Sequence, residues 1–126
     1  ALQRSLRQRP LDPLGWARLA YVKVQQGRRA EAAEALSRSL ATGRFIPGFM
    51  QWRFAQGLGL WDDLDDTVKA GMADQAGLLW RKRKWNLIRL GRVAPFSAPL
   101  ETLMRDYHPA SLDEFLHGRG PLRHTH

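Results

Sequence analysis

The chain has 126 residues, 44% of them hydrophobic, with a formal net charge of +8 and no cysteine. That length holds one domain with one sizeable core, and the apolar content excludes a chain disordered over most of its length. The missing cysteine excludes a disulfide framework and a thiol nucleophile, and the positive charge favours anionic partners: nucleic acid, acidic protein or anionic lipid. No apolar run approaches the roughly 18 residues that a membrane-spanning helix needs, and no signal-peptide pattern occurs. A soluble chain is therefore expected. Its many alanines, and basic residues that are mostly arginine, suggest a GC-rich bacterial genome. The compartment stays open between a bacterial cytoplasm and the periplasmic part of an anchored protein.

In chain order, "ALQRSL" at residues 1–6 is echoed by "ALSRSL" at residues 35–40, five letters of six, 34 residues apart. Between the echoes Trp16, Leu19, Ala20 and Val24 fall at i, i+3, i+4 and i+8, one face of a helix. Pro13 opens that helix, where a missing N–H costs little, and Gly27 closes it. A second helix is expected from about Arg29 to Ala41, with Ala32, Ala33, Leu36 and Leu40 inward and Gly43 as its stop. A link of so few residues makes the two helices antiparallel neighbours, and Ala20 against Ala32 suits a close crossing. Trp16 and Leu36 are expected in the core.

These residues resemble the tetratricopeptide repeat, a helical hairpin of 34 residues with the order W-x2-L-G-x2-Y, A-x3-F, P. Trp16, Leu19 and Ala20 match the first block, with alanine for glycine, and Lys23 departs from the tyrosine. Ala32 stands where the pattern wants alanine, and Leu36 replaces phenylalanine. The resemblance implies an all-α, short right-handed solenoid of antiparallel hairpins with a C-terminal helical cap. It makes residues 1–9 the tail of a preceding repeat, with Pro10 its closing proline and Leu2 and Leu6 repeating Leu36 and Leu40. That end could then self-associate through its apolar side. Residues 10–43 form the well-matched unit. The function implied is a non-enzymatic protein–protein interaction or scaffold module, part of a larger repeat protein, with an unidentified protein or peptide as partner.

Residues 44–78 read as a diverged repeat. Phe49, Trp52, Ala55 and Leu60 make one helical face, and Trp52 lies 36 residues after Trp16. Gly57 and Gly59 weaken that helix by roughly 1 kcal/mol each relative to alanine, unless they serve close packing. Asp62, Asp63, Asp65 and Asp66 crowd the start of the next helix, where carboxylates meet the positive helix end. Leu64, Val68, Met72, Ala76 and Leu79 continue it as an inward ladder. Residues 79–92 hold a further helix, a new one or a continuation. Pro95 and Pro99 then break the pattern, and residues 93–117 give two short capping helices. Leu100, Leu103 and Met104 mark the first. A capping-box signature of Ser111 and Glu114 marks the second, before Leu112, Phe115 and Leu116. Residues 118–126 read as a tail.

Little of this suggests chemistry. "DDLDD" lacks the spacing and distal glutamate of a calcium loop. His108, His117, His124 and His126 cluster near the C-terminus without the three or four fixed ligands of a zinc site. No Walker loop, nucleophile elbow or dinucleotide fingerprint occurs. No enzyme, metal or cofactor is expected.

Two surfaces remain as candidates. By the resemblance, the first helix of the matched unit lines a concave peptide groove with Leu14, Ala17, Arg18, Tyr21, Val24 and Gln25. Ala17 and Tyr21 stand where the family's carboxylate-binding subgroup uses lysine and asparagine, so that device is not expected. The same six residues could instead pack on a neighbouring repeat. The second surface is the run "WRKRKW". Arg81, Lys82, Arg83 and Lys84, with Arg89 and Arg92 beyond, form a basic patch with tryptophan available for stacking, which would bind nucleic acid or an anionic surface. The reading preferred on sequence alone is that Trp80 and Trp85 are both core and the charges a solvated face.

Overall fold

The computed structural model describes residues 12–46 and 48–121. The helix expected over residues 1–9, with Leu2, Leu6 and Pro10, lies outside them, as do Pro47, His124 and His126. The described residues form seven α-helices and no strand, so the chain is all-α.

Helix α1 spans Pro13–Gln25. Asp12 caps it, its carboxylate accepting the Gly15 N–H at 2.7 Å, and Pro13 supplies the preset φ of the first turn. Gly27 ends it at φ +74°, a conformation that costs other residues a Cβ clash. Helix α2 spans Arg29–Thr42 and returns antiparallel. Its far end is tied to the start of α1 by Ser39 Oγ, which donates to the Pro13 carbonyl at 2.6 Å. Ala17, Ala20, Ala32 and Leu36 are fully buried between the two helices and their neighbours. Trp16 is only half-buried, packed on the edge of the core with the Arg38 guanidinium 5.1 Å above its ring. Gly43 does stop α2, but in extended backbone; what it provides is room for the Pro13 ring.

Helix α3 spans Met50–Gly59, and its orientation corrects the sequence expectation. The buried face is Met50, Arg53, Phe54, Gly57 and Leu58, while Phe49 is exposed and Trp52 and Ala55 are half-buried. At about 100° per residue this face lies roughly opposite the one that Phe49, Trp52 and Ala55 mark, and it holds the apolar Met50, Phe54 and Leu58 as well as Arg53 and Gly57. Two features cause this. Gly57 lets the α3 backbone sit directly against Met72 and Leu36, where any Cβ would collide. Arg53, 1% exposed, is drawn inside by carbonyl oxygens at the end of α2.

After a 3-10 turn at Trp61–Asp63, helix α4 runs over Asp66–Lys82. Of the four aspartates, Asp65 is the cap, accepting the Val68 N–H at 2.9 Å, and Asp63 binds Arg29 at 2.7 Å. The ladder Leu64, Val68, Met72, Ala76, Leu79 is buried throughout. Trp80 lies in the last turn of this helix; Arg83 leaves helical geometry, and helix α5 starts at Lys84 and ends at Leu90.

Residues 93–117 do more than cover an end. Helix α6 spans Ala94–Tyr107 and packs against both α3 and α4; helix α7 spans Pro109–Arg119 and packs against α5 and α6. Leu100, Leu103, Met104 and Phe115 are fully buried. Pro99 lies inside α6 rather than breaking it. The carbonyl its missing N–H would have served belongs to Pro95, an exposed first-turn residue that water can satisfy. The capping box does not form. His108 is the cap position of α7 and Pro109 its first residue, which places Ser111 inside the helix.

Glu101 links α6 to α7. It accepts hydrogen bonds from Arg119 at 2.7 Å and Arg105 at 2.6 Å, and these hold its carboxyl below the usual glutamate range. A depressed folded pKa means that this stabilisation is complete above the unfolded value of about 4.3 and is lost as pH falls through the lower folded value. Thermal melts should therefore show a fall in midpoint below about pH 4 that Glu101→Gln reduces. An identical acid limb in the variant would show the link to contribute nothing.

Candidate functional site

Because α3 buries Met50, Phe54 and Leu58, the opposite side of its turn is left outward. Trp52 and Ala55, half-buried, line a groove with the exposed side of α1, and Phe49 packs on the Trp52 ring. Tyr21, 46% exposed, lies 6.1 Å from the Trp52 ring, and Phe49, 40% exposed, meets the same ring edge-on at 6.3 Å. Behind them α1, α3 and α6 enclose a groove of about 310 Å³ lined by Tyr21, Val24 and Gln25 from α1, Trp52, Ala55 and Gln56 from α3, and Phe96 from α6. Leu60 is among its lining residues, and Arg29, donating to the Gly59 carbonyl and paired with Asp63, flanks it. Its apolar lining with a few polar groups is the usual composition of a site that buries side chains of a ligand.

Of the six groove positions expected on α1, Tyr21, Val24 and Gln25 line this groove. Ala17 does not: it is fully buried, and its carbonyl faces the Gln56 amide at 3.4 Å, because α3 packs over α1 there. Leu14 and Arg18 lie outside the lining. Trp52 and Phe96 were missed as surface residues. Spacing alone puts Trp52 on one helical face with Phe49, Ala55 and Leu60, and no feature of the sequence brings Phe96 beside α1, since that contact exists only once α6 lies on α3.

The basic run divides into two groups. Lys84 is spent within the fold, with Glu114 at 2.7 Å and the Trp80 ring 4.8 Å below its ammonium. Arg92 donates to the Gly118 carbonyl at 2.7 Å and Arg89 to Asn86 Oδ1 at 3.2 Å. Arg81, Lys82 and Arg83 are exposed and form no ion pair among the described residues. The tryptophans also separate. Trp80 packs against Phe115, ring centroids 6.5 Å apart, whereas Trp85 is 61% exposed, which corrects the reading that both are core.

Among the described residues no group of three or more histidines and carboxylates is placed to hold a metal ion, and no helix is long and apolar enough to cross a membrane. No family model, curated protein or solved structure matches the chain.

Proposed function

We propose that the chain is a non-enzymatic protein-binding module of the tetratricopeptide type, a short right-handed solenoid that receives a peptide segment of a partner in the groove between α1, α3 and α6. The observation that carries the reading is the aromatic wall of Tyr21, Trp52 and Phe49. Tyr21 and Trp52 line the groove and Phe49 packs on the Trp52 ring beside it, all partly in water, where a folded monomer gains little from them. Large aromatic side chains at a concave, water-accessible edge are the groups that dominate binding energy in protein interfaces. The α1–α2 hairpin with its small-residue crossing at Ala20 and Ala32, and the placing of Tyr21 and Val24 on the open side of α1, support the repeat reading.

The test is selection of displayed random peptides on the immobilised chain, followed by affinity measurement for the winners. Enriched peptides should share a large apolar anchor, and Tyr21→Ala/Trp52→Ala should weaken them at least about tenfold, near 1.4 kcal/mol. Both side chains are part-exposed, so the variant keeps its fold. Winners that bind the double variant as tightly as the parent would refute the groove as the binding site.

A further inference from the structure

A second concavity lies away from the aromatic groove, between the loop that leads into α3 and the α4–α5 junction. It has a volume of about 540 Å³. Phe45 stands on one wall and Lys82, Arg83 and Asn86 on the other, with Met50 and Leu79 among the apolar lining. Phe45 is 61% exposed, and so is Trp85, which sits between Arg83 and Asn86 in the first turn of α5. The charges lining this cleft are of one sign, those of Lys82 and Arg83; Asp74, one turn before Leu78, is held by Arg44. Residues 75–100 contain Arg81, Lys82, Arg83, Lys84, Arg89 and Arg92 and not one aspartate or glutamate. The first three of these cations have no carboxylate partner among the described residues.

We propose that this cleft and the surface beside it bind single-stranded nucleic acid, with backbone phosphates on Lys82 and Arg83 in the cleft and on Arg81 next to it, and bases stacked on Phe45 in the lining and on Trp85, exposed just outside it. Unpaired cations beside exposed aromatic faces are the two components of sequence-tolerant single-strand recognition: the charge follows the backbone and the rings take any base. The volume falls within the range of ordinary ligand sites, roughly 300–1,000 Å³. Asn86 and Gln51 add amide groups in the same cleft, which base edges can meet. A bilayer would answer the cations and the rings, but a flat surface does not enter a concave cleft and would strip water from those amides without pairing them. An acidic peptide would answer the cations and leave two planar faces without a planar partner. Duplex DNA is also disfavoured, because its bases are already stacked on each other and only its phosphates remain for the cleft.

The experiment is a fluorescence titration of the full chain with an oligothymidylate of about 20 nucleotides, between about 50 and 200 mM NaCl. Three phosphate contacts on a single strand predict a slope of log affinity against log salt near −2. Trp85→Ala should weaken binding about tenfold, Trp85→Phe should restore most of it, and Arg81→Ala/Lys82→Ala/Arg83→Ala should flatten the salt dependence. All four side chains are exposed, so the melting midpoints should stay at the parental value and any affinity change reads the site. The proposal is overturned if the oligonucleotide does not bind at the lowest salt, if Trp85→Ala binds it unchanged, or if polyglutamate or phosphatidylserine vesicles bind as tightly as the oligonucleotide.

Discussion

Arg53→Met should destabilise the protein by about 3–5 kcal/mol, the cost of leaving a buried polar network without its central partner. Arg53 is 1% exposed, and no carboxylate accompanies it. Its guanidinium instead donates to the Ser39 and Gly43 carbonyls at 3.3 and 2.6 Å, to the Arg44 carbonyl, to Ser39 Oγ at 3.2 Å and to Gln75 Oε1 at 3.0 Å. Three of these acceptors are backbone carbonyls at and just beyond the C-terminal end of α2, where the helix dipole is negative; the Ser39 oxygen also accepts the Gly43 N–H and Thr42 Oγ1, and those of Gly43 and Arg44 lie past the last turn. The side chain therefore acts as a cap supplied from another helix. Burial pushes its pKa down to about 10, so it remains charged at neutral pH. An apolar replacement cannot be neutral here. Buried ion pairs can be exchanged for hydrocarbon when both partners go together, but a backbone carbonyl cannot be mutated away. Arg53→Lys keeps the charge on three donors with no planar fork, and should lose about half as much. Urea unfolding measures both. An Arg53→Met midpoint within about 0.5 kcal/mol of the parent would mean that water takes over the carbonyls, and the capping argument would fail.

The same residue marks the limit of what the sequence discloses. The first hairpin is legible because every local signal agrees: Pro13 opens α1, Gly27 closes it, and Ala32, Leu36 and Leu40 recur at helical spacing on α2. The α4 ladder is legible for the same reason. On α3 the signals conflict. The three-residue spacing of Phe49, Trp52 and Ala55 marks one apolar face, yet the buried face is the opposite one and contains an arginine and a glycine beside Met50, Phe54 and Leu58. Arg53 faces inward because of the carbonyls at and just beyond the end of α2, and Gly57 because Met72 needs its space. Neither reason lies within the segment. The groove inherits this. The repeat resemblance assigns Tyr21, Val24 and Gln25 to a groove face, along with Leu14, Ala17 and Arg18, which the groove does not use, whereas Trp52 joins them only because α3 buries its other side, and Phe96 only because α6 returns to α3. Lys23 shows a milder conflict. It departs from the repeat pattern and is 7% exposed, its stem buried and its ammonium 3.7 Å from Glu31, so it fills part of the space an aromatic ring would take.

Ending the chain at residue 93 should abolish cooperative folding rather than expose a sticky end. If α6 and α7 merely covered the last hairpin, their removal would leave the remaining helices folded, with an apolar face driving association, as in repeat arrays that lose a terminal cap. The packing argues otherwise. Leu100, Leu103, Met104 and Phe115 are all fully buried, and α6 touches α3 and α4 together, returning across the chain to a helix that ends at Gly59. Removing four such side chains forfeits about 1.5–3 kcal/mol each, about 6–12 kcal/mol in sum, against a total of about 5–15 kcal/mol for an ordinary domain. It also uncovers the α3 and α4 side chains they lie on. The shortened chain should show a broad, non-cooperative melt and weak helical circular dichroism at a concentration where the full chain is folded. Sedimentation decides between the two outcomes. A well-folded, self-associating fragment with a sharp melt would make α6 and α7 a cap. A poorly structured fragment makes them part of the single core, and places the groove that depends on Phe96 among the features that vanish with them.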